Sequence, residues 1–404
     1  MSGRLRLGYA CSWWHPRQPT WSYTAARLRD ALEAQAALTD IEVQRSIAGK
    51  AALRTLYAPL RGHPWKYSAV EQVLTDRAVR RAAARHRLDA ILAVADVDTP
   101  TVVPTFLYQD MNAAVAFSER GSAWAQYVNT LPTTPALLRR RGDRQVERAK
   151  RATAVFAMSQ WYADRLVNDH GISPAQVHVV PAGMNNPPDA YRSPAAAPCG
   201  RVLFVGADFF RKGGDLVVEA VRQLRKVDDG VRLTVAGPRR WPMATEPPSW
   251  IDFRGVMSPA DVSALYPVHD VFAMPSRFEA FGIALAEALV AGLPCVARDA
   301  FAMPEIVEDP AMGALVSSDD PSELAAALER VLSDDAIHQR VAAARPRLLR
   351  RHTWAGAAAT MLGHIAAAMA GVESAPALSW PALERAWRCW LPGARFQRAA
   401  IAVW

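Results

Sequence analysis

An alternation of short apolar runs with longer helical stretches constrains the fold more than any other feature of the sequence, and it is clearest in the second half. Apolar runs typical of buried strands lie at 202–205, 232–236, 271–274, 294–297 and 314–316. Helical patterns lie between them, at 214–227, 259–265, 282–291 and 321–332. Strands that alternate with helices are typical of a parallel sheet. This half therefore predicts a Rossmann-like domain.

The first half repeats the rhythm less regularly. Strands are predicted at 5–10, 90–94, 154–158 and 177–180, and helices at 24–36 and 67–86. Between the halves, residues 181–198 are rich in Pro, Gly, Asn and Ala and have no period, which is typical of a linker. We expect an α/β protein with an N-terminal domain over 1–185 and a C-terminal domain over 199–375.

Composition excludes several classes of protein. The 404 residues are 51% hydrophobic and 21% charged, which is ordinary for a packed globular chain. Every long apolar stretch is interrupted by charge, Gly or Pro, so no membrane span is predicted, and the apolar run near the N-terminus is too short for a signal peptide. We therefore expect a cytoplasmic protein. We also expect reduced thiols, because the four cysteines are isolated in the sequence: Cys11, Cys199, Cys295 and Cys389.

The net charge of +8 comes largely from arginine clusters at 77–87 and 139–151. A solvated helix face explains such clusters, and so does contact with an anionic membrane or substrate. Aromatic residues are not interleaved with them and no nucleic-acid-binding motif accompanies them, so nucleic acid is not an expected partner. Peripheral contact with the inner face of a membrane stays open.

A phosphate site is predicted after the strand at 202–205. The strand ends at Gly206, and Lys212 and Gly213 follow where the next helix begins. Glycine allows the backbone to approach a ligand closely, and the N–H groups of a helix start attract anions. Lysine adds a full positive charge. Taken alone, the same residues also suit an ordinary turn.

Two glutamates eight residues apart strengthen this prediction. Glu279 lies beyond the carboxyl end of the strand at 271–274, where doubly wound sheets bind ligands. Glu287 falls inside the next helix among apolar neighbours, so its carboxylate needs a partner. A ribose diol would satisfy it, and so would an arginine or a neighbouring strand. Gly282 at the helix start offers N–H groups to a diphosphate or a sugar hydroxyl.

At these residues the sequence resembles the retaining, nucleotide-sugar-dependent glycosyltransferases of family 4, which have the GT-B fold of two facing Rossmann-like domains. The resemblance covers about 202–354. Its motifs are the Gly-x5-Lys-Gly loop at 206–213, Val-Ala-Gly at 235–237, Phe-Arg-Gly at 253–255, the Pro-Ser-x-x-Glu-x-Phe-Gly-x4-Glu run at 275–287, Gly-x-Pro at 292–294 and Thr-Trp at 353–354. The first half matches loosely, at 19–22 and 148–159.

The resemblance implies roles for individual residues. Lys212 would contact the donor diphosphate, Glu279 the hydroxyls of the transferred sugar, and Glu287 the ribose. The remaining residues implied in donor binding are Gly206, Gly213, Gly237, Val256, Ala280, Phe281 and Gly282, of which Gly237 and Val256 would face the base. The family usually has an arginine where this chain has Ala207, and Arg211 is a candidate to supply that charge.

The resemblance also implies retention of anomeric configuration without a covalent enzyme intermediate, and no cofactor besides the nucleotide sugar. Asp96 and Asp98 form the chain's Asp-x-Asp, but they lie in the first half, so we expect no metal site. An acceptor, which could be a glycan, a lipid-linked molecule or a small molecule, would bind the first domain. Asp110 could align its hydroxyl or could simply cap a turn. Trp13, Trp14 and Trp21 offer flat faces suited to sugar rings, and packing in the core suits them at least as well. His15 and His63 are only loosely placed.

The tail from about 376 to 404 spaces its tryptophans on one helical face. It suits either a membrane surface or the family's C-terminal segment, which returns to the first domain. Two alternative functions remain: an epimerase or hydrolase of nucleotide sugars on the same fold, and a non-catalytic protein that binds anionic surfaces.

Overall fold

The first domain is built on a six-stranded parallel sheet. It is seen in a computed structural model that describes residues 5–13, 21–43, 69–94, 97, 103–119, 134–188, 190–193, 198–308 and 310–371. The strands are β1 (Arg6–Cys11), β2 (Ala37–Glu42), β3 (Ala90–Val94), β4 (Thr105–Gln109), β5 (Ala154–Ala157) and β6 (Val177–Val179), in the spatial order β2-β1-β3-β4-β5-β6. β3, β4 and β5 are buried along their whole length, as expected for parallel strands covered on both faces.

Helices cover this sheet, and several begin at side-chain caps. They are α1 (Thr24–Glu33), α2 (Ala69–His86), α3 (Ala113–Ser118), α4 (Pro135–Arg151) and α5 (Gln160–Asp164), which continues as a π turn at Arg165–Asp169. The side chains of Asn112, Thr134 and Ser159 accept N–H groups in the first turns of α3, α4 and α5. Such caps fix where each helix starts.

The second domain repeats this architecture with a sheet of the same size. Its strands are β7 (Arg201–Val205), β8 (Arg232–Ala236), β9 (Ile251–Gly255), β10 (Val271–Met274), β11 (Cys295–Arg298) and β12 (Gly313–Val316), in the order β12-β11-β10-β7-β8-β9. Its helices are α6 (Gly214–Leu224), α7 (Pro259–Leu265), α8 (Ile283–Val290), α9 (Met303–Val307), α10 (Pro321–Ser333) and α11 (Asp335–Arg351), and the last described helix, α12 (Trp354–Met369), follows them in the chain. The predicted pair of Rossmann-like domains is confirmed.

Some elements were not predicted. β2 reads Ala-Leu-Thr-Asp-Ile-Glu, and this mixture of polar and apolar residues, without a continuous apolar run, suits a strand at the edge of the sheet. β4 was not predicted either, and Tyr108 and Gln109 are its last residues, directly before Asp110. α4, α11 and α12 were missed as helices. α11 contains Pro346, and α12 is apolar on most of its surface, so neither has a simple amphipathic pattern.

The chain crosses between the domains twice, and the two crossings touch. In the linker, the Met184 N–H donates to the His352 carbonyl at 3.0 Å. The indole Nε1 of Trp354 donates to Asn185 Oδ1 at 3.2 Å. A Cβ atom on Gly183 would lie 2.3 Å from the backbone nitrogen of Trp354, so this close approach requires glycine.

A buried ion pair anchors the linker to the second domain. Arg192 Nη2 lies 3.0 Å from Asp270 Oδ1, and these side chains are only 4% and 6% exposed. Asp270 Oδ2 also accepts the N–H groups of Cys199 and Arg201, at 2.9 and 2.8 Å. The Arg192 N–H donates to the Ala291 carbonyl at 2.7 Å. The end of the linker is therefore fixed to the base of the second sheet.

After the second crossing, α12 packs against α1 and returns the chain to the first domain. Gln35 Nε2 donates to the Ala355 carbonyl at 3.1 Å, and the ring of His364 stacks 4.0 Å from that of His178 on β6. The tail for which a return was predicted, from about residue 376, lies outside the described residues. That expectation stays a prediction.

Candidate active site

The site predicted in the second domain lies where the order of its strands reverses. β7 and β10 are neighbours, with Val202 paired to Val271, but the chain leaves β7 towards β8 and leaves β10 towards β11. Parallel sheets open a crevice at such a point, beyond the carboxyl ends of the strands. Lys212 lies in the loop after β7 and Glu279 in the loop after β10, so the topology brings them to the same crevice.

Glycines bring the loops of this crevice into close contact. Gly213 has φ +76°, and a Cβ atom there would lie 2.5 Å from the Pro275 carbonyl oxygen. Gly237, at the end of β8, has φ +118°, and a Cβ atom there would lie 2.6 Å from the carbonyl carbon of Gly206. Only glycine accepts both this backbone conformation and this spacing. The loops after β7, β8 and β10 are therefore packed backbone to backbone.

Lys212, Arg211 and Glu279 form one charged cluster. The ammonium group of Lys212 is paired with Glu279 Oε2, and Arg211 Nη1 lies 3.5 Å from the same oxygen. Burial raises the pKa of Glu279, but the adjacent charges of Lys212 and Arg211 outweigh it and hold the pKa below its usual value. All three side chains are less than one fifth exposed. The site thus holds an ionised acid between two cations.

Arg211 reaches this cluster from its own loop. Its Nε lies 3.0 Å from Asp208 Oδ2 and its Nη1 donates to the Phe278 carbonyl at 2.7 Å. Ala207, which stands where the resembled family has an arginine, is exposed on the same loop. The guanidinium group of Arg211 therefore lies beside Lys212, and its role as the replacement charge stays a prediction.

The turn from Glu279 into α8 closes one side of the crevice. Gly282 has φ +99° and precedes the first residue of α8, and a Cβ atom there would lie 3.6 Å from Glu279 Cγ. The start of α8 therefore lies beside the Glu279 side chain. Phe281 is buried, its ring 6.2 Å from that of His352, while Ala280 is partly exposed.

Glu287 contacts the linker. Its Oε1 accepts the N–H groups of Asn185 and Asn186, at 3.1 and 3.2 Å, and the hydroxyl of Tyr266 donates to its Oε2 at 3.3 Å. Burial raises the pKa of Glu287 to about 7, and these hydrogen bonds offset only part of that effect. The predicted need for a partner is thus met within the protein. Ribose binding by Glu287 stays a prediction.

The environment of Glu287 predicts an unusual dependence of stability on pH. Its pKa of about 7 is higher in the folded protein than in the unfolded chain, so the folded protein holds a proton that the unfolded chain has released. Lowering the pH from about 8 to about 5 should therefore stabilise wild type relative to Glu287→Gln, by up to about 3 kcal/mol. Urea unfolding at both pH values measures this difference. Glu329→Gln, at an exposed position on α10, should show no such difference, and equal pH slopes for wild type and Glu287→Gln would contradict the prediction.

The expected base-binding residues lie together at the end of β8 and β9. The Gly237 N–H donates to the Gly255 carbonyl at 2.7 Å, and Val256, the next residue, is 66% exposed. An exposed apolar side chain beside two glycines leaves a flat surface on which a planar ring can lie. That it faces a base stays a prediction.

Asp110 lies across the crevice, on the first domain. Trp21 Nε1 donates to Asp110 Oδ2 at 3.3 Å. Burial raises the pKa of Asp110 to about 6, and the charge of Glu279 contributes to the rise although the hydrogen bond from Trp21 opposes it. Glu279 thus lies near enough to Asp110 to affect its pKa, although the two residues belong to different domains.

The residues before α1 adopt a conformation that the sequence did not predict. Trp21, Ser22 and Tyr23 have φ values of +49°, +53° and +71°, although none is glycine. Consecutive left-handed residues are strained and persist where the surroundings fix them. Here the indole of Trp21 contacts Asp110, and Asn185 Nδ2 donates to the Ser22 carbonyl at 2.5 Å. The turn thus joins the first-domain side of the crevice to the linker.

The other aromatic and acidic candidates of the first domain fare differently. Trp13 is buried and its ring lies 5.9 Å from that of Tyr9, so of its two expected roles it has the one in core packing. The remaining candidates lie outside the described residues: Trp14, His15, His63, Asp96 and Asp98. Cys11, Cys199 and Cys295 form no disulfides, and the structure does not describe Cys389.

Two arginines that sequence reasoning missed hold the crevice loops. Arg277 donates to both oxygens of Asp215, at 2.8 and 2.9 Å, and to Asp319 at 2.6 Å, while its N–H donates to the Arg211 carbonyl. Arg298, fully buried, donates to Asp319 and, at 3.2 Å, to the Pro275 carbonyl. Arg277 stands inside the 275–287 motif, which was the one available signal. These bonds tie the loops after β7, β10 and β12 together.

The described part of the chain contains no group of three His, Cys, Asp or Glu side chains arranged to hold a metal ion. Among the same residues, no helix is both long and apolar enough to cross a membrane.

Solved structures with a similar fold are known. Sucrose-phosphate synthase from Thermosynechococcus elongatus superposes with a TM-score of 0.63 at 17% identity, covering 91% of this chain and 100% of that structure. Two parallel six-stranded Rossmann-like domains that face each other across one crevice define the GT-B class of glycosyltransferase folds, and this chain has that fold.

The second domain also matches a sequence family. Residues 199–334 match the family described as Glycosyl transferases group 1. A D-inositol 3-phosphate glycosyltransferase from Xylanimonas cellulosilytica is 32% identical over 55% of this chain and 58% of that protein. A phosphatidyl-myo-inositol mannosyltransferase from Mycobacterium leprae is 32% identical over 40% of this chain and 45% of that protein. The chain spans about half the length of the curated relatives that it matches.

Proposed function

We propose that the chain is a retaining glycosyltransferase that moves a sugar from a nucleotide-diphosphate sugar to a hydroxyl acceptor. The observation that carries the proposal is the cluster of Lys212, Arg211 and Glu279 at the point where the strand order reverses. Asp110 of the other domain lies near enough for Glu279 to affect its pKa. Such a crevice has two cations for a diphosphate. It also has two carboxylates for hydroxyl groups, one from each domain.

The donor diphosphate lies against the cations in this proposal. Cleavage of the bond between the anomeric carbon and the diphosphate develops negative charge on the departing oxygen. Lys212 and Arg211 stabilise that charge, together with the N–H groups at the starts of α6 and α8. Because the charge grows towards the transition state, these groups lower the barrier more than they stabilise bound substrate.

The sugar lies between the two carboxylates. Glu279 accepts hydrogen bonds from the sugar hydroxyls and is not a covalent nucleophile, unlike the second carboxylate of a retaining glycosidase. The departing phosphate oxygen takes the proton of the acceptor hydroxyl, so retention follows from attack on the face that the phosphate leaves. Glu287 binds the ribose, and Gly237 and Val256 face the base. The reaction needs no metal ion.

The acceptor lies against the first domain, where Asp110 aligns the attacking hydroxyl. The names of the two curated relatives each include an inositol carrying a phosphate. A phosphorylated cyclitol, either free or linked to a lipid, is therefore the first acceptor to test. The basic helix α4 would allow peripheral contact with an anionic membrane where the acceptor is lipid-linked.

Asp110 predicts the acidic limb of the pH profile. Its pKa is about 6, so a role for the ionised carboxylate makes kcat/KM fall as the pH is lowered through that value. Asp110→Asn should remove this limb and lower kcat/KM at pH 7.5 by about tenfold, less than the loss of a full general base, because the departing phosphate takes the proton. Initial rates from about pH 5 to about pH 9 measure both effects.

Glu279→Gln provides the check on this pH prediction. Since the charge of Glu279 raises the pKa of Asp110, its removal should move the acidic limb to lower pH in the activity that remains. A limb that persists unchanged in Asp110→Asn would assign it to another group.

Thermal stabilisation by ligands tests the proposed function. Nucleoside diphosphates of uridine, guanosine and adenosine, and their sugars, are added to wild type, Lys212→Ala and Lys226→Ala, with and without chelator. A bound ligand at 100 times its dissociation constant should stabilise wild type by about 2.7 kcal/mol. Lys226 is exposed near the end of α6, and its variant should respond as wild type does. If no compound stabilises wild type, the chain is not a nucleotide-sugar enzyme.

Product analysis separates transfer from the alternative activity on the same fold. Incubation of the stabilising nucleotide sugar with and without a cyclitol phosphate should give a glycoside only when the acceptor is present. Free sugar or an epimer in its absence, at the same rate, would instead indicate a hydrolase or an epimerase.

A further inference from the structure

Apart from the crevice, three residues join the two domains in what is here named the interdomain clasp: Trp161 of the first domain, and Phe301 and Glu305 of the second. The rings of Trp161 and Phe301 meet edge to face, with centroids 5.4 Å apart. The Glu305 carboxylate accepts the N–H of Gln160 at 2.8 Å through one oxygen and that of Trp161 through the other. The first turn of α5 is thus held by a side chain from the opposite domain.

Phe301 is strained at this contact. It has φ +58°, in the left-handed region that favours glycine, and it is only 7% exposed. A buried aromatic residue keeps this backbone conformation only where its ring is held by its surroundings. The ring of Phe301 lies between Trp161 and Phe278, so its position follows from contacts on both sides.

On the second domain, the clasp is one contact away from the charged cluster. The rings of Phe301 and Phe278 are 5.3 Å apart and at a steep angle. Phe278 directly precedes Glu279, and its carbonyl accepts the guanidinium of Arg211. A shift of the Phe301 ring therefore acts on the backbone that carries Glu279.

On the first domain, the clasp is linked to Asp110 by a similarly short route. Tyr162 follows Trp161, and its buried hydroxyl donates to Gln109 Oε1 at 2.8 Å. Gln109 ends β4 and directly precedes Asp110. Glu279 thus follows Phe278, whose ring contacts Phe301 of the clasp. Asp110 follows Gln109, which is bonded to Tyr162, the residue after Trp161 of the clasp.

We propose that the interdomain clasp is a positioning device that sets the distance between Asp110 and Glu279, and so aligns the acceptor hydroxyl with the donor sugar. This inference rests on the proposed function. Donor contacts lie on the second domain alone, so the clasp acts on turnover and leaves donor binding nearly unchanged. Phe301 and Glu305 are positioning residues in this scheme, because neither lies among the groups assigned to substrate.

Phe301→Gly is the sharpest variant, because glycine adopts φ +58° without strain, so the ring is lost while the backbone conformation is retained. Glu305→Gln weakens the second half of the clasp, and Phe301→Tyr keeps the aromatic contact as the conservative control. The full chain is assayed for kcat, for donor KM and for melting temperature. Small-angle X-ray scattering of the ligand-free protein reports the separation of the domains without any assay of activity.

Loss of the clasp should lower kcat by about tenfold, because displacement of reacting groups by about 1 Å can slow a reaction by about a hundredfold. Donor KM should change by less than about threefold, and Phe301→Tyr should retain most of the activity. Loss of the buried ring lowers the melting temperature of Phe301→Gly, so activity is assayed well below the melting temperature of each variant. Trp161→Ala combined with Phe301→Gly should lose no more than either alone, since both remove one contact. Scattering should show a larger radius of gyration for Phe301→Gly.

Equal kcat in wild type and Phe301→Gly would overturn the proposal, and so would a loss of kcat that is fully explained by the fraction of Phe301→Gly unfolded at the assay temperature. A wild type that binds nucleotide sugar but transfers nothing would instead count against the proposed function. In that case the scattering data decide whether the clasp holds the domains together, and an unchanged radius of gyration would overturn it.

Discussion

Lys212→Ala is expected to lower kcat by about a hundredfold, equivalent to about 3 kcal/mol, by analogy with the loss of one donor to a developing oxyanion. The ammonium group of Lys212 lies just before α6 and is paired with Glu279. The 275–287 segment, which carries Glu279, contains no lysine that could replace it. Since the missing charge acts mainly on the departing diphosphate, donor KM should rise much less than kcat falls.

Steady-state kinetics with the nucleotide sugar that stabilises wild type measure this effect. Lys226→Ala, at an exposed position just beyond the other end of α6, is the matched control. Lys212→Arg separates charge from shape, because guanidinium keeps the charge but not the compact geometry of the ammonium group. If Lys212→Ala turned over at the rate of Lys226→Ala, Lys212 would have no part in the reaction.

Arg192→Ala is expected to destabilise the protein by about 3 to 5 kcal/mol, because it leaves the buried charge of Asp270 without its guanidinium partner. The same change releases the end of the linker from the second domain. Urea unfolding followed by tryptophan fluorescence measures the loss of stability.

Arg222→Ala is the matched control for this prediction. Arg222 pairs with Glu219 one turn away on the exposed face of α6, and such surface pairs contribute only about 0 to 1 kcal/mol. A difference of less than about 1 kcal/mol between the two variants would show that the Arg192 pair does not anchor the linker.

The donor side of the site could be predicted because its signals are local. β7 and β10 are short apolar runs with buried residues, and each is followed within a few positions by glycine, a charged residue and a helix. Strand, loop and helix in that order place Lys212 and Glu279 at the carboxyl edge of a parallel sheet. Their adjacency then depends only on the reversal of strand order between β7 and β10.

The remaining site features depend on contacts between segments far apart in sequence. The partner of Glu287 is the linker, about a hundred residues away, and no spacing within α8 indicates it. Asp110 is one polar residue after a strand that was itself missed, and its raised pKa depends on burial and on Glu279 from the other domain. The three left-handed residues at 21–23 contain no glycine, which is the usual signal for that conformation.

The two touching passages at Met184 and His352 set how the halves of the molecule can move. Because the two interdomain crossings lie side by side, relative motion of the domains is restricted mainly to rotation about a hinge axis through them. Reactants can then enter and products leave at the side opposite the hinge, while the hydrogen bonds at the hinge stay intact. The energy of opening is therefore concentrated in the few contacts furthest from that axis.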